Sequence, residues 1–438
     1  MKSMSPDKIR NVALVAHGDA GKTTLAEAIL FAGGAVSRMG KVEDGSSALD
    51  FAENEKKRQI TINLGLGHCS WGGTKVNVLD CPGYADFYGD VKAGLRVADA
   101  VIVLVAAPSG VEVGTDLVWQ FIDSAGLPRM ICINKMDKEH ADFRKCLAAC
   151  SDELGARVAP VTIPIGAADD FKGVVDLIEQ KAYVPDGTGK SKAGEIPAEM
   201  ADEVAELRSQ LIEAAAESDE ALMEKFFGDE ELTPEEIRTG LRKGVAAATI
   251  VPVVATAAAN GAGVEPLMNT IVGVLPSPAD TPEITGTKPG SEDDVTLPQT
   301  PDAPFSALVF KTVSEQHVGE LSFFRVYSGT VSSGNDVLNS TKSEGERMGT
   351  VYALVGRDRK EMEAVSAGDI GAVVKLKHTS TGDTLCTKAN PILLPPVELP
   401  KPVLSEAVKG KAKGDEEKVA TGLSRLHEED PTFTVAYD

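Results

Sequence analysis

Three short runs in this 438-residue chain carry residue types suited to phosphate, metal and a purine edge. The first is Ala16-His17-Gly18-Asp19-Ala20-Gly21-Lys22-Thr23, followed by Thr24. The second is Asp80-Cys81-Pro82-Gly83-Tyr84, and the third is Asn134-Lys135-Met136-Asp137. In the first run, glycines let successive backbone N–H groups converge, and a following helix would add partial positive charge. Lys22 brings a full charge and Thr23 a hydroxyl suited to Mg2+. Asp19, Ala20, Gly21, Lys22, Thr23 and Thr24 are therefore the expected phosphate contacts. In the second run, Asp80 is expected to hold the metal through water. Gly83 lacks a side chain, so its N–H can approach a terminal phosphate. In the third, the Asp137 carboxylate can accept two hydrogen bonds from guanine, a pair that adenine does not offer. The Lys135 stem would pack along the base, with Asn134 beside it. The second and third runs are weak alone. In this order the three runs specify GTP or GDP bound with Mg2+.

The segments between these runs suit the elements that would position them. Asn11-Val12-Ala13-Leu14-Val15-Ala16 is apolar and partly β-branched, as a buried parallel strand is. Thr24-Leu25-Ala26-Glu27-Ala28-Ile29-Leu30 has helical composition. Lys75-Val76-Asn77-Val78-Leu79 alternates and delivers Asp80 at a strand's carboxyl end, and Met130-Ile131-Cys132-Ile133 does the same for Asn134. A further strand, Val251-Pro252-Val253-Val254, leads to Ala257-Ala258, expected to offer backbone N–H groups to the guanine carbonyl. The fold expected for residues 1–280 is α/β, a doubly wound sheet with ligand at the strands' carboxyl ends.

An insert at about 157–250 reads as α-rich. Val204, Leu207 and Leu211 recur on one helix face, and Thr233-Pro234-Glu235-Glu236 is a capping box. Residues 281–304, rich in Pro, Gly and acid, read as a linker. Short β-rich runs over 305–398 suggest a small β-barrel. Residues 399–438 are too few to bury a core of their own.

At this point the chain resembles bacterial elongation factor G, and within it the paralogues with tyrosine in the second switch. Arg58-Gln59-Ile60-Thr61-Ile62 is similar to the Arg-Gly-Ile-Thr-Ile of translational GTPases, with Gln59 in place of glycine. The resemblance implies that Thr61 closes on Mg2+ in the GTP state. Gly319-Glu320-Leu321-Ser322-Phe323-Phe324-Arg325-Val326-Tyr327-Ser328-Gly329 and Thr381-Gly382-Asp383-Thr384-Leu385 resemble the second domain, and Leu426-His427-Glu428-Glu429-Asp430-Pro431 the opening of the third. Relatives continue through further domains, so a truncated or fragmentary chain is expected. The implied activity is GTP hydrolysis at the ribosome, with Tyr84, Lys22 and Gly83 as catalytic candidates. Tyr84 replaces the family's histidine, and Gly18 a bulky aliphatic residue. A phenol of ordinary pKa near ~10 is a poor general base at neutral pH. Orienting a water, or merely packing, are the two roles left open to it.

Sixty-six acidic against 44 basic residues give a net charge of −22, which argues against coating nucleic acid such as DNA. Six cysteines without a Cys-x-x-Cys spacing fit a reducing cytoplasm. No stretch is long and apolar enough for a membrane span. A monomer is expected. The competing functional class is a GTP-binding module that hydrolyses little and acts as a regulatory or competing factor on the ribosome. Ribosomal protection proteins and the third class of release factor share the motifs.

Overall fold

The computed structural model describes residues 3–436 apart from 229, 316–318 and 413. The first domain is built from β1 (Ile9–Val15), α1 (Lys22–Ala32), α2 (Glu53–Arg58), β2 (Gly65–Trp71), β3 (Thr74–Asp80), α3 (Tyr88–Val97), β4 (Ala100–Ala106), α4 (Val113–Ala125), β5 (Arg129–Asn134) and α5 (Phe143–Leu154). It continues through β6 (Val158–Pro160), β7 (Thr162–Ile165), β8 (Gly173–Asp176), β9 (Lys181–Pro185), β10 (Ser191–Gly194), α6 (Ala201–Ala216), α7 (Glu220–Phe227), α8 (Pro234–Ala246), β11 (Val251–Ala255) and α9 (Val264–Val274).

Its main sheet has the order β2-β3-β1-β4-β5-β11-β6. Only β2 runs antiparallel, against β3; the remaining neighbours are parallel. Every residue of β1, β3 and β4 is buried, as expected of strands covered on both faces. Because these strands are parallel, the ends of β1, β3, β5 and β11 share one edge. That edge gathers the phosphate loop, Asp80, Asn134 and the Ala257 turn from four separate stretches of sequence.

The insert is richer in helix than in strand, as expected, but it is not helical throughout. It carries an antiparallel sheet ordered β10-β9-β8-β7 beside α6, α7 and α8, and its first strand, β6, belongs to the main sheet. Its strands are only four or five residues long, too short for periodicity to separate them from loop. The helical expectations hold locally. Val204 and Leu211 are buried on α6. The Thr233 hydroxyl accepts from the Glu236 N–H at 3.3 Å to start α8.

The expected linker is folded too. β12 (Ile284–Thr287) and β13 (Asp294–Leu297) form a hairpin, and Thr287 exchanges backbone hydrogen bonds with Leu393. The prolines lie outside its strands, Pro282 and Pro298 beside its ends and Pro289 in its turn.

The second domain comprises β14 (Ser306–Glu315), β15 (Gly319–Ser328), β16 (Thr330–Val331), β17 (Asp336–Asn339), β18 (Glu344–Arg347), β19 (Val351–Val355), β20 (Asp358–Glu361), β21 (Val365–Ser366), β22 (Ile370–Val374) and β23 (Thr384–Cys386). Eight of these form one antiparallel sheet, ordered β18-β17-β23-β14-β15-β22-β19-β20. Its inner face buries Phe305, Val309, Phe324, Val326, Val351 and Leu385. α10 (Glu416–Glu429) follows with no buried residue. It reaches β14 through the Glu429 carboxylate, which accepts from the Ser314 N–H at 3.0 Å.

Charged and amide groups, fully buried, tie the β-rich domain to the first. Lys75 Nζ meets Asp369 at 2.7 and 2.9 Å. The Arg325 guanidinium pairs with Asp99. Asn11 and Asn77 connect the two pairs by donating to Asp99 and Asp369. Breaking one such pair would strand a buried charge at a cost of ~3–5 kcal/mol, so the joint is stiff.

Candidate nucleotide-binding site

The phosphate loop needs left-handed backbone, and the structure places it at Asp19 (φ 60°) and Gly21 (φ 94°). Gly21 is required on a second count, since a Cβ there would lie 2.6 Å from Asn134 Nδ2. α1 starts at Lys22 with no side chain capping it and no acid in its first turn. Its leading N–H groups and dipole are thus left for an anion. Lys22 is buried, and its Nζ donates to His17 O at 3.1 Å, folded along the loop. Burial lowers its pKa, opposed by Asp80 and Asp19. An anionic phosphate would supply the counter-charge. His17 is itself anchored to α4, its Nδ1 accepting from the Gly114 N–H at 3.2 Å.

Beside Lys22 lies an oxygen-lined corner. The Thr23 and Thr61 hydroxyls are 2.8 Å apart. Thr61 also donates to Asp50 Oδ2 at 3.2 Å. Both carboxylate oxygens of Asp80, and Oδ1 of Asp50, are buried without a hydrogen-bond partner. Burial, with the neighbouring Glu27 and Glu55 charges, pushes Asp80 up to about 7, against the pull of Thr23 and Lys22. Burial and the charge of Asp80 push Asp50 up to about 8. Two hydroxyls and two under-satisfied carboxylates make a hard-oxygen donor set that fits Mg2+, a cation held by few protein ligands plus waters and phosphates. The structure brings Thr23, Thr61 and Asp80, distant in sequence, together at this corner. Asp50 is an addition, since nothing in its local spacing separates it from surface acids such as Asp44.

Gln59 adopts backbone that glycine reaches without strain. It closes α2 in the left-handed region, φ 56°, and its Nε2 donates to Glu43 O at 2.8 Å. That conformation costs a non-glycine residue about 1–2 kcal/mol, which the side-chain bond partly offsets.

Gly83 has no space for any side chain. A Cβ would lie 2.4 Å from Lys22 Nζ and 3.0 Å from Gly18 Cα. The next residue, Tyr84, lies across the phosphate loop and donates its hydroxyl to Asp19 Oδ2 at 3.4 Å. The ring rests on Gly18, whose absent Cβ would be 3.1 Å from Cζ. Gly18 and Tyr84 are therefore one feature, a tyrosine seated where a glycine makes room. Burial and Asp19 raise the Tyr84 pKa. The phenol stays protonated, a hydrogen-bond donor rather than a base.

At the other end of the loop, Asn134 is buried and spends its amide internally. Nδ2 donates to Ala20 O at 3.0 Å, while Oδ1 accepts from Thr256 Oγ1 at 3.0 Å and from the Ala258 N–H at 3.1 Å. It links the phosphate loop to the turn after β11. Lys135 adopts φ 63°, with its stem alongside Gly21. Asp137 sits half-buried at the rim, 3.6 Å from Lys138 Nζ. Ala257 and Ala258 lie at that turn with their N–H groups engaged within the protein. The Ala257 N–H is bonded to Ala262 O and the Ala258 N–H to Asn134, so neither is free for a base carbonyl without an exchange of partners. Thr256, which the motifs do not mark, is the side chain that orients Asn134. A cleft of about 810 Å³ lies elsewhere, between α3, α4 and the β-rich domain near Arg325 and Tyr327. The chemistry lies at the sheet edge.

Comparison with known proteins agrees with this architecture. Residues 7–277 match the elongation factor Tu GTP-binding domain, residues 304–388 elongation factor G domain 2, and residues 399–438 elongation factor G domain III. The crystal structure of ttk003000868 from Thermus thermophilus superposes with a TM-score of 0.87 at 32% identity. The match covers 97% of this chain and 61% of that one, so this chain spans less than two thirds of the length of its solved relative. The chain belongs to the family of the elongation factor Tu GTP-binding domain, and its succession of domains is that of elongation-factor-G-like translational GTPases.

Proposed function

We propose that the chain binds GTP or GDP with Mg2+ and hydrolyses GTP to GDP and phosphate in connection with the ribosome, as a monomer in the cytoplasm. One observation carries the reading. Thr61, from a segment 38 residues downstream of Thr23, is held 2.8 Å from it, beside the unpartnered Asp80 carboxylate. A hydroxyl pair facing buried acid serves a metal–phosphate group better than it serves stability, because burying the Asp80 carboxylate costs more than the pull of Thr23 returns. Bound Mg2+ would offset charge developing on the phosphoryl oxygens.

Each protein group has a task in that reaction. Lys22 and the α1 N-terminus hold the phosphates. The Gly83 N–H approaches the terminal one. Asp137 and the Lys135 stem select guanine, while Asn134 keeps the base and phosphate subsites in register. Tyr84 contributes a neutral hydroxyl that orients water by hydrogen bonding and does not remove its proton.

The succession of domains also supports a ribosomal role. Among the described residues no helix is long and apolar enough to cross a membrane. The engagement of the Tyr84 hydroxyl by Asp19 favours a second reading, a GTP-binding module with little turnover. Steady-state GTP hydrolysis with and without purified ribosomes separates the two. Strong stimulation supports the translational GTPase, and intact GTP binding without stimulation supports the module.

A further inference from the structure

We infer that Glu27 is a positioning residue that fastens the 40–50 segment to α1, so that Asp50 and Thr61 reach Thr23; this rests on the nucleotide-binding reading above. Glu27 is one helical turn beyond Thr23 and is fully buried. Among the described residues no lysine or arginine pairs with it. Its charge is met by hydrogen-bond donors from one distant segment. Oε1 accepts from Ser47 Oγ at 2.8 Å, the Ala48 N–H at 2.6 Å and the Leu49 N–H at 3.3 Å, and Oε2 accepts from the Gly40 N–H at 3.0 Å. Gly40 is fitted to this approach, since a Cβ there would lie 2.8 Å from Glu27 Oε2.

The bonds form a closed circuit. From Glu27 it passes to Ser47, whose Oγ accepts from the Asp50 N–H at 3.1 Å. Asp50 Oδ2 then accepts from Thr61, and Thr61 returns to Thr23 on the same helix as Glu27. A second buried carboxylate, Glu55, holds the far end by accepting from the Ile62 and Asn63 N–H groups at 3.1 and 3.0 Å. A lone buried charge is expensive unless fully hydrogen-bonded. Here four donors meet it, and all four lie in the segment that brings the metal-facing groups together. The helix carrying the phosphate-binding Lys22 and Thr23 therefore also carries the tether for the lid over them.

This tether should separate triphosphate from diphosphate. Thr61 and Asp50 face the metal corner, whereas the loop, α1 and the guanine contacts hold either nucleotide. Glu27→Gln preserves shape but removes the charge and turns one acceptor into a donor, set against donors. Gly40→Ala crowds Ser46 O (2.6 Å), Ser47 Cα (2.7 Å) and Glu27 Oε2 (2.8 Å), and so loosens the same attachment from the segment's side without altering α1.

The test measures dissociation of N-methylanthraniloyl GTP and GDP from the full chain by stopped flow, in MgCl2 and in EDTA. With Mg2+, GTP release from each variant is expected to accelerate about tenfold, as for loss of charge-assisted bonds. GDP release should stay within about twofold, and the GTP difference should shrink in EDTA. Glu27→Asp, which keeps the charge, should fall between. Equal acceleration for both nucleotides would show a general structural support and overturn the inference, as would no change for either. A wild-type chain that held neither nucleotide would overturn the nucleotide reading and this inference with it, whereas wild-type binding with unchanged variants would overturn the inference alone.

Discussion

Replacing Gly18 by valine should lift Tyr84 off the phosphate loop. A Cβ at residue 18 would lie 3.1 Å from Cζ, 3.3 Å from Cε1 and 3.4 Å from the hydroxyl of Tyr84. Gly18 is not in the left-handed region, so this contact and not backbone strain decides the outcome. Valine adds two further methyl groups, and keeping the ring in place would cost about 2–3 kcal/mol of overpacking. Leaving costs little. The ring is 38% exposed, and it gives up one long hydrogen bond to Asp19, worth ~0.5–1 kcal/mol. The difference, about 1.5 kcal/mol, puts roughly nine rings in ten outside. Alanine sits near the balance point and should populate both positions. NMR of protein labelled at the tyrosine ζ-carbon can read this, with Tyr84 assigned through Tyr84→Phe. In the wild type the Tyr84 phenol titrates above an ordinary tyrosine, because of burial and Asp19. In Gly18→Val its titration should fall toward the ordinary value, and its resonance should move about nine-tenths of the way to a solvated shift. An unchanged titration and shift in Gly18→Val would refute the fitted-pair reasoning.

Other outcomes follow from single contacts. Gly83→Ala places a methyl 2.4 Å from where Lys22 Nζ lies, so GTP affinity should fall at least about tenfold in equilibrium titration. Asn134→Ala removes three hydrogen bonds between the phosphate loop and the turn after β11 and should weaken GTP and GDP alike, by about 2 kcal/mol or more in calorimetry. Lys311→Met leaves Asp90 facing the domain joint without its ammonium, previously at 2.7 and 2.8 Å, and should cost ~3–5 kcal/mol, read as an earlier urea transition. His68 is half-buried, with its pKa lowered by desolvation and by Lys75, and its Nδ1 is 2.9 Å from Leu354 O in the second domain. Its folded pKa lies below the unfolded value near ~6.5, so its contribution is complete above that pH and is lost as pH falls toward the folded pKa. Between about pH 7.5 and about pH 5.5, on either side of that unfolded value, the melting temperature should drop by more in the wild type than in His68→Gln.

What the sequence made legible was whatever lies within one strand-and-turn unit. Gly21, Lys22, Thr23, Asp80 and Asn134 each follow a strand by a fixed step, so parallel strands guarantee their meeting. Asp50, Glu27 and Thr256 lack that signature. Asp50 acquires its place from Thr61, Glu27 from the turn at residues 47–49, and Thr256 from Asn134 across 122 residues. Their roles are tertiary, and one sequence cannot distinguish a buried acid from a solvated one. The 281–304 hairpin was hidden for a related reason. Its pairing with Leu393 is long-range, whereas its prolines and glycines are local.

The second domain does more than follow the first. Asp90 on α3 accepts from Lys311 on β14 through both oxygens, and its Oδ2 also accepts from the Leu64 N–H at 2.7 Å, three residues past Thr61. The turn between β19 and β20 presses on the lid itself. Gly356 donates to Leu66 O at 2.9 Å, and a Cβ there would fall 1.7 Å from Ala48 O, while the Arg357 guanidinium sits 5.5 Å over the Phe51 ring. Gly356 is in the left-handed region at φ 56°, so both its conformation and its space require glycine. The 40–63 segment is thus clasped from inside by Glu27 and Glu55 and from outside by the second domain. If that segment moves when a terminal phosphate is lost, Ala48 must part from Gly356, and Leu64 must part from Asp90 or pull it from Lys311. The buried pairs Lys75–Asp369 and Arg325–Asp99 lie away from this contact and hold the domains together meanwhile. The joint is therefore stiff where the sheet meets the barrel and more lightly held where the 40–63 segment meets it, an arrangement that, on the proposed nucleotide reading, would let a change at the phosphates reach the second domain's surface without dissolving the interface.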